Sequence, residues 1–220
     1  RDAGVADGGD GIRDEGSNTR IVANRIESGD GVGLNVTSVP TAPTVENNTV
    51  QFNDGSAITV ENSPVVDAKR TRLGTGASWV SVSGSDFSID GGSKPSTLPT
   101  RRQAIGIYFT VNTGSASLGE FKLKYPDSAV TTINESTLRV WQYDGSWTRP
   151  ADNNTVDTTD NVVSADGLAG GTVAPLANNT PPAADATASA VSLALNESVT
   201  FDASESEDID GKIVEYRWDF

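Results

Sequence analysis

Apolar and polar residues alternate over short stretches along most of this 220-residue chain. Near the middle, Phe121, Leu123 and Tyr125 alternate with charged residues. Successive side chains of a β-strand point to opposite faces, so this pattern predicts a strand with one buried and one solvated face. Similar patterns predict strands at residues 20–27, 33–39, 49–52, 57–61, 65–68, 78–82, 87–89, 104–111, 119–125 and 138–143. A sustained 3.6-residue period is absent, and only residues 128–137 can hold a turn of helix.

Two tight hairpins are predicted from Asp-Gly pairs, which supply the positive φ angles that such turns need. Asn-Asp-Gly-Ser at residues 53–56 would join the strands at 49–52 and 57–61. Asp-Gly at residues 144–145 would fold Trp147 back onto the preceding strand. Short strands separated by regular turn signals predict an all-β fold, a β-sandwich of Ig-like or jelly-roll-like type.

A shift in composition divides the chain into predicted domains. Residues 174–190 are rich in Pro, Ala, Asn and Thr, and Pro181-Pro182 favours an extended spacer. The predicted organisation is an acidic, Gly- and Asp-rich N-terminal arm at residues 1–17, a β-sandwich at 18–174, a linker at 175–184 and a second module at 185–220.

The last forty residues carry the most specific pattern. Val199 and Phe201 predict one half-buried strand, and alternating Val214, Tyr216, Trp218 and Phe220 predict another. Together with Asp208-Ile209-Asp210-Gly211 between them, these segments resemble the front half of a PKD module. The resemblance implies an extracellular Ig-type sandwich whose remaining strands come from a longer chain or from a partner chain.

Two acidic, glycine-containing segments are candidate calcium sites, because Ca²⁺ takes six to eight oxygen ligands from such loops. The first candidate set is Asp202, Ser204, Asp208 and Asp210, close to Gly211. The second set is Asp7, Asp10 and Asp14, in a segment that resembles a thrombospondin type 3 calcium repeat. The alternatives are a solvated acidic turn for the first set and a disordered acidic terminus for the second.

Composition excludes several classes of function. The net charge of −14 argues against nucleic acid and anionic membranes as partners. The acidic, Lys-poor composition resembles that of proteins from extreme halophiles, in which carboxylates hold hydrated cations. Histidine and cysteine are both absent, so a Ser-His-Asp triad, a His-ligated metal site and a thiolate site are excluded, and no enzyme activity is predicted.

Six Asn-X-Ser/Thr triplets favour a secreted, glycosylated protein. The predicted acceptors are Asn35, Asn47, Asn134, Asn153, Asn178 and Asn196. No apolar run approaches the ~20 residues that a membrane helix requires.

Aromatic and basic residues suggest two kinds of contact. Trp141 and Trp147 flank one predicted hairpin and are candidates for a sugar-stacking platform together with Trp79; burial in the core is the alternative. Basic residues concentrate at 69–72 and 101–102, where they can receive an acidic patch of a neighbouring copy or pair with local carboxylates.

The sequence therefore predicts an extracellular structural or adhesive protein, a subunit or stalk of a filament or surface layer of a halophile. Its predicted partners are further copies of itself or other surface proteins, bound by strand addition. One alternative is a carbohydrate-binding accessory region of a larger secreted hydrolase, with polysaccharide as the partner. Another is a component of a halophilic virus particle.

Overall fold

The computed structural model describes residues 9–29, 31–53, 55–74, 78–114, 117–150 and 152–219. Its described elements are strands and two single-turn 3₁₀ segments, so the all-β prediction is confirmed. The 3₁₀ segments, Asp127–Ala129 and Glu135–Thr137, lie where the sequence predicts a turn of helix. In the described part of the chain, no helix is long and apolar enough to span a membrane.

The N-terminal half consists of three coils of parallel strands stacked on one another. The first coil holds β1 (Ile12–Asp14), β2 (Arg20–Val22) and β3 (Arg25–Gly29); the second holds β4 (Leu34–Thr37), β5 (Thr44–Glu46) and β6 (Thr49–Asn53); the third holds β7 (Ile58–Glu61) and β8 (Val66–Leu73). Each strand pairs in parallel with its counterpart in the next coil. Between the first and second coils, Arg20 pairs with Thr44 and Arg25 with Thr49, a repeat of 24 residues.

The corners of the coils repeat with the strands. Ser38, Asn62 and Asp86 have φ of 54°, 48° and 51°, and each lies 24 residues after the previous one. A second corner has φ of 56°, 57° and 48° at Ala23, Asn47 and Arg70. Because a left-handed residue redirects the chain sharply, the recurring positive φ turns each strand into the next face of the coil.

A buried asparagine joins the first two coils. The Asn48 side chain is 1% exposed and donates its Nδ2 hydrogen to the carbonyl of Ile21 at 2.8 Å. Its Oδ1 accepts from the backbone N–H of Asn24 at 3.0 Å and from the Asn24 side chain at 3.1 Å. A buried amide is stable only when its polar atoms are paired, so this contact fixes the register of the coils.

The C-terminal half of the body is an antiparallel sandwich that continues the same sheets. Its strands are β9 (Trp79–Gly84), β10 (Phe87–Gly91), β11 (Arg102–Ala104), β12 (Phe109–Asn112), β13 (Glu120–Lys124), β14 (Arg139–Tyr143), β15 (Trp147–Thr148), β16 (Thr155–Asp157), β17 (Val162–Ala165) and β18 (Gly171–Asn178). One sheet runs β1-β4-β7-β10-β12-β18-β14-β15, with β11 beside β18, and the other runs β2-β5-β8-β9-β13-β17-β16. Strand β8 makes the transition, since it is parallel to β5 and antiparallel to β9.

One apolar core lies between the sheets and extends through both halves. Leu34, Val36 and Ile58 fill it in the coils, and Phe121 and Leu123 fill it in the sandwich; all are 0–1% exposed. The rings of Phe109 and Phe121 meet across the core at 5.8 Å in an edge-on arrangement. The inward positions are those at which the sequence pattern places apolar residues.

The structure corrects the predicted pairing. The segments at 49–52 and 57–61 form no hairpin: β6 pairs with β3 and β8, whereas β7 pairs with β4 and β10. Residue 54 of that predicted turn lies outside the described residues. The hairpin at 144–145 is confirmed, because Tyr143 pairs with Trp147. The predicted strand at 20–27 is two strands, because the left-handed corner at Ala23 turns the chain between them.

The strands of the body extend past both predicted boundaries of the sandwich. Residues 12–14, assigned to the N-terminal arm, form β1 and pair with β4, since Ile12 adds to the row of Leu34 and Ile58. Strand β18 continues to Asn178, four residues into the predicted linker, because Ala177 pairs with Gln103 of β11.

The C-terminal module has a small sheet of its own. Strands β19 (Thr187–Ala188) and β20 (Phe201–Asp202) pair in antiparallel fashion, and Ala183 forms a bridge with Glu207. Residues 212–219 form no strand, contrary to the prediction, because no described segment pairs with them. Residue 220 lies outside the described part.

Candidate functional site

The contact between body and C-terminal module is built around Asp210, which is 9% exposed. Its carboxylate accepts hydrogen bonds from the backbone N–H of Thr180 at 2.8 and 3.0 Å and from the Thr180 hydroxyl at 2.8 Å. Its carbonyl accepts from the N–H of Asn134 at 2.8 Å, and the next residue, Gly211, bridges to Ile133. A charged acceptor with several donors makes strong hydrogen bonds, so the Asp210 carboxylate holds Thr180, in the segment that follows β18. The Asp210 carbonyl and Gly211 fasten the module to the body.

The carboxylates of the first candidate calcium set accept hydrogen bonds from protein donors. Asp210 is committed to Thr180, and Asp208 accepts from the N–H of Asp210 at 3.3 Å. Asp202 accepts from the N–H of Ser204 at 2.9 Å, and this hydrogen bond is the main cause of the lowered pKa of that exposed carboxyl. Within the described ranges, no group of three or more acidic side chains is placed to hold a metal ion.

The second candidate set stabilises the first coil. Asp10 accepts from the N–H of Val32 at 3.1 Å and from Nδ2 of Asn35 at 2.7 Å, which ties the first coil to the second. Asp14 is 5% exposed and accepts from Gly16 and Thr19, while its second oxygen is buried without a hydrogen-bond partner. Asp7 lies outside the described residues. These carboxylates serve as turn acceptors, and a bound calcium ion stays a prediction.

The aromatic candidates lie on the outer face of the sandwich. Trp147 packs on Tyr143 with ring centres 5.3 Å apart and donates its indole N–H to the carbonyl of Thr97 at 2.7 Å. The Arg102 guanidinium lies 5.2 Å from the ring centre of Trp141. Both tryptophans are half-buried at the surface, so their main contacts are with other parts of the sheet face and not with the core.

Sequence reasoning missed the partners in this aromatic row. Tyr143 follows Trp141 by two residues, which is the spacing of side chains on one face of a strand, so that signal was present in the sequence. The position of Arg102 comes from the pairing of β11 with β18, which no local pattern reveals.

The six predicted acceptor asparagines differ in their surroundings. Asn35 is half-buried with its amide nitrogen bound to Asp10, which is unfavourable for glycan attachment. Asn134 caps the second 3₁₀ segment, Asn153 donates to Asp166 and Asn178 accepts from Arg102. Asn47 and Asn196 are exposed at left-handed turns, with φ of 57° and 70°.

The basic residues pair locally in part. Arg70 forms an ion pair with Glu46 at 2.7 Å, and Arg102 contacts Asn178 and Trp141. Arg70 therefore pairs with a local carboxylate, as the alternative predicts, whereas Arg102 contacts an amide oxygen and an indole ring.

Comparison with known proteins identifies the C-terminal module. A family model described as a PKD domain matches residues 179–220, which confirms the resemblance seen in the sequence. The match includes residues 179–184 of the predicted linker. PKD domains generally occur in extracellular and surface proteins. No curated protein matches the chain, and no solved structure matches it.

Proposed function

We propose that the chain is an extracellular structural or adhesive protein, a subunit or stalk of a surface assembly of a halophile. The observation that carries the proposal is the contact of a PKD-type module with a two-sheet body, in which the Asp210 carbonyl binds Asn134 and Gly211 pairs with Ile133. A stalk must hold successive modules in a fixed arrangement. Thr180 and Ala183 of the predicted linker are bound to Asp210 and Glu207 within the matched module, which restricts the hinge that a Pro-rich linker would otherwise provide.

The open end of the coils supports assembly by strand addition. Among the described strands, β1, β2 and β3 each have a single neighbour, which lies on the side of the second coil. Their other edges present backbone N–H and C=O groups, and such edges are templates for pairing with another chain. At the opposite end, the edge strands are β15 and β16, with two and three residues, whereas β1, β2 and β3 follow one another along a single coil.

The module contributes a second surface for contact. The large apolar residues that are exposed in the described part lie mostly within it, at Val191, Leu193, Leu195, Phe201, Ile209, Val214, Tyr216 and Trp218. Several of these line a groove of about 580 Å³ together with Gln103 and Thr132 of the body. A concentration of exposed apolar surface is typical of interaction sites, so we assign this side of the module to contacts with further strands.

The charge supports the halophilic part of the proposal. At 1 M salt the Debye length is about 3 Å, so repulsion within a molecule of net charge −14 is largely screened. The 16 Lys and Arg residues leave 14 of the 30 Asp and Glu residues without a compensating charge, and hydrated cations can screen these. Solubility in molar salt and expansion at low salt are the expected consequences.

Electron microscopy of the purified chain in 3 M and 0.2 M KCl tests the proposal, with light scattering to give the mass in solution. Ordered filaments or lattices in 3 M KCl are the expected result. Monodisperse monomers at both salt concentrations and at high protein concentration would replace the proposal with a non-assembling role.

A carbohydrate-binding accessory role is the second candidate, favoured by the Trp141–Tyr143–Trp147 row on an outer sheet face. Because Arg102 lies over Trp141, a sugar ring would have to displace the guanidinium or stack on Tyr143 and Trp147. This candidate would be favoured if the chain binds neutral polysaccharide, if Trp147→Ala loses that binding, and if electron microscopy shows monomers.

A further inference from the structure

A basic groove with an aromatic wall lies on the coils, far in sequence from the aromatic row of the sandwich. Its walls are Asn47, Asn48, Thr49, Arg70, Arg72 and Trp79, and its volume is about 320 Å³. The basic residues 69–72 and the third tryptophan, which the sequence presents as separate features, meet here. None of these side chains has a part in the proposed strand addition.

The fold directs two arginines to this groove. Arg70 occupies a left-handed corner with φ of 48°, and its backbone N–H is bound to the Ser81 hydroxyl at 2.9 Å. Thr71 is fully buried, so the residue after it, Arg72, points outward on the pleated strand. Trp79 lies on β9 next to Val80, which pairs with Thr71, and this places the indole beside Arg72.

The charges in the groove are incompletely balanced. Arg70 pairs with Glu46 at 2.7 Å. Arg72 is exposed, and among the described residues no carboxylate lies within ion-pair distance of it. Across the strands, Arg72 lies in one outward row between Thr49 and Trp79, and Arg25 and Lys124 lie at the ends of this row. Arg25 pairs with Glu27, and Lys124 donates to the carbonyl of Asp160. The guanidinium of Arg72 is therefore available to an external anion.

We propose that this groove binds an acidic sugar residue, one that carries a carboxylate or a sulfate group. The sugar ring would stack on Trp79, as amphipathic rings do on indoles, and the acidic group would be held by the guanidinium fork of Arg72. The polar side chains of Asn47 and Thr49 line the same groove and match sugar hydroxyls. The groove has the size of the smaller ligand pockets of proteins, which suits one or two sugar units.

The overall negative charge does not prevent this binding. In molar salt, charges more than about 3 Å apart are largely screened, so contacts inside the groove decide the affinity. A charge-assisted hydrogen bond to a guanidinium survives such screening better than long-range attraction does. The inference goes beyond the assembly role and does not depend on it, since it concerns a different surface.

The test follows the indole N–H signal of Trp79 in two-dimensional NMR spectra of the ¹⁵N-labelled chain in 1 M KCl. That signal is assigned by its loss in Trp79→Phe. The probes are a galacturonate trisaccharide, a galactose trisaccharide that carries sulfate and no carboxylate, a neutral galactose trisaccharide and sulfate ion alone. We expect at least one acidic saccharide to shift the Trp79 signal in a saturable manner, and the neutral saccharide and free sulfate to leave it unchanged. The responding probe distinguishes carboxylated from sulfated sugars.

Variants identify the groups that bind. Arg72→Ala should weaken binding about tenfold or more, which corresponds to the loss of one hydrogen bond to a charged group. Arg149→Ala removes another exposed arginine outside the groove and should leave the affinity unchanged.

Three outcomes would overturn the proposal. They are an unmoved Trp79 signal with both acidic saccharides, equal affinity for the neutral saccharide, and an Arg72→Ala affinity equal to that of Arg149→Ala. Unchanged amide spectra of the variants ensure that a loss of binding does not reflect a loss of fold. Filament formation is scored separately, so the failure of one proposal leaves the other standing.

Discussion

Replacing Asn48 by alanine tests the stacking of the coils most sharply, because this side chain links two of them. The substitution removes the hydrogen bond to the Ile21 carbonyl at 2.8 Å and two hydrogen bonds from Asn24 at 3.0 and 3.1 Å. It leaves the Ile21 carbonyl and the Asn24 backbone N–H without their partner in a site where the side chain is 1% exposed.

The magnitude follows from those contacts. Each lost hydrogen bond contributes about 0.5–1.5 kcal/mol, and each buried polar group left unsatisfied adds a desolvation cost of about 1–3 kcal/mol. Some relaxation and entry of water reduce the sum, so we expect Asn48→Ala to lower the free energy of unfolding by about 3 kcal/mol. Asn24→Ala keeps the backbone N–H bond to Asn48 and loses the side-chain bonds, so its expected cost is about 1 kcal/mol.

Urea unfolding in 3 M KCl, followed by tryptophan fluorescence and far-UV circular dichroism, measures both variants. Equal slopes against urea concentration are needed for the comparison, since a change in slope signals a change in the exposed surface and not in stability alone. The asparagine contact does not hold the coils together if the free energy of unfolding of Asn48→Ala lies within 1 kcal/mol of that of the unaltered chain. The same conclusion follows if Asn48→Ala lowers it no more than Asn24→Ala does.

Four further substitutions or treatments have defined outcomes. Thr71→Val should raise the free energy of unfolding in urea by about 1 kcal/mol, because the Thr71 hydroxyl is buried without a partner. Thr113→Val should lower it by about 1–2 kcal/mol, because the Thr113 hydroxyl donates to the Ala169 carbonyl at 2.9 Å. Equal effects would contradict this. Ala23→Asn should raise stability by about 1 kcal/mol, since Ala23 has φ of 56° and Asn47 occupies the same corner one coil later; Asn47→Ala should lower it by a similar amount. Burial raises the pKa of Asp90, opposed by the hydrogen bond from Gly91, so its ionised form is disfavoured in the folded chain. Asp90→Asn should therefore be more stable than the unaltered chain at pH 7, and this advantage should vanish as the pH falls below the usual carboxyl pKa of 3.8; a constant difference from pH 3 to 7 would contradict it. The thermal midpoint should respond to EDTA and to added calcium equally in the unaltered chain and in Asp208→Asn, because Asp208 and Asp210 are committed to protein donors; a calcium-specific rise in the midpoint that Asp208→Asn abolishes would show a cation at this loop.

Local alternation predicts which side chains enter the core and does not predict which strands pair. Phe121, Leu123 and Val36 are buried as their positions in alternating segments indicate. The same alternation is compatible with parallel and antiparallel neighbours. The Asp-Gly pair at 54–55 favours a hairpin between β6 and β7, which the structure does not form. The 24-residue repeat was visible in the spacing of similar segments, such as Ile21 to Asn24 and Val45 to Asn48. Repeats of this length are typical of stacked coils, so the parallel pairing is encoded in this period and not in the Asp-Gly pair.

The functional surfaces were predictable to different degrees. The C-terminal PKD motif is local in sequence and was recognised, because turn residues and aromatic positions lie within forty residues. The fastening of Asp210 to Thr180 joins positions 30 residues apart and depends on how β18 leads into the module. The groove of Arg72 and Trp79 depends on the transition of β8 from parallel to antiparallel pairing, which no spacing along the chain encodes.

Engineered cysteine pairs test the stacked coils most directly, because the chain has no cysteine of its own. Arg20 and Thr44 are exposed partners in the parallel register of β2 and β5. Neighbouring strands lie about 4.7–4.9 Å apart, within the range of Cα separations that a disulfide spans. Arg20→Cys with Thr44→Cys should form an intramolecular disulfide quantitatively under mild oxidation, whereas Arg20→Cys with Thr59→Cys, on the other sheet, should remain reduced. No disulfide in the first pair, or equal disulfide formation in both, would contradict the parallel coils from which the rest of the structure is built.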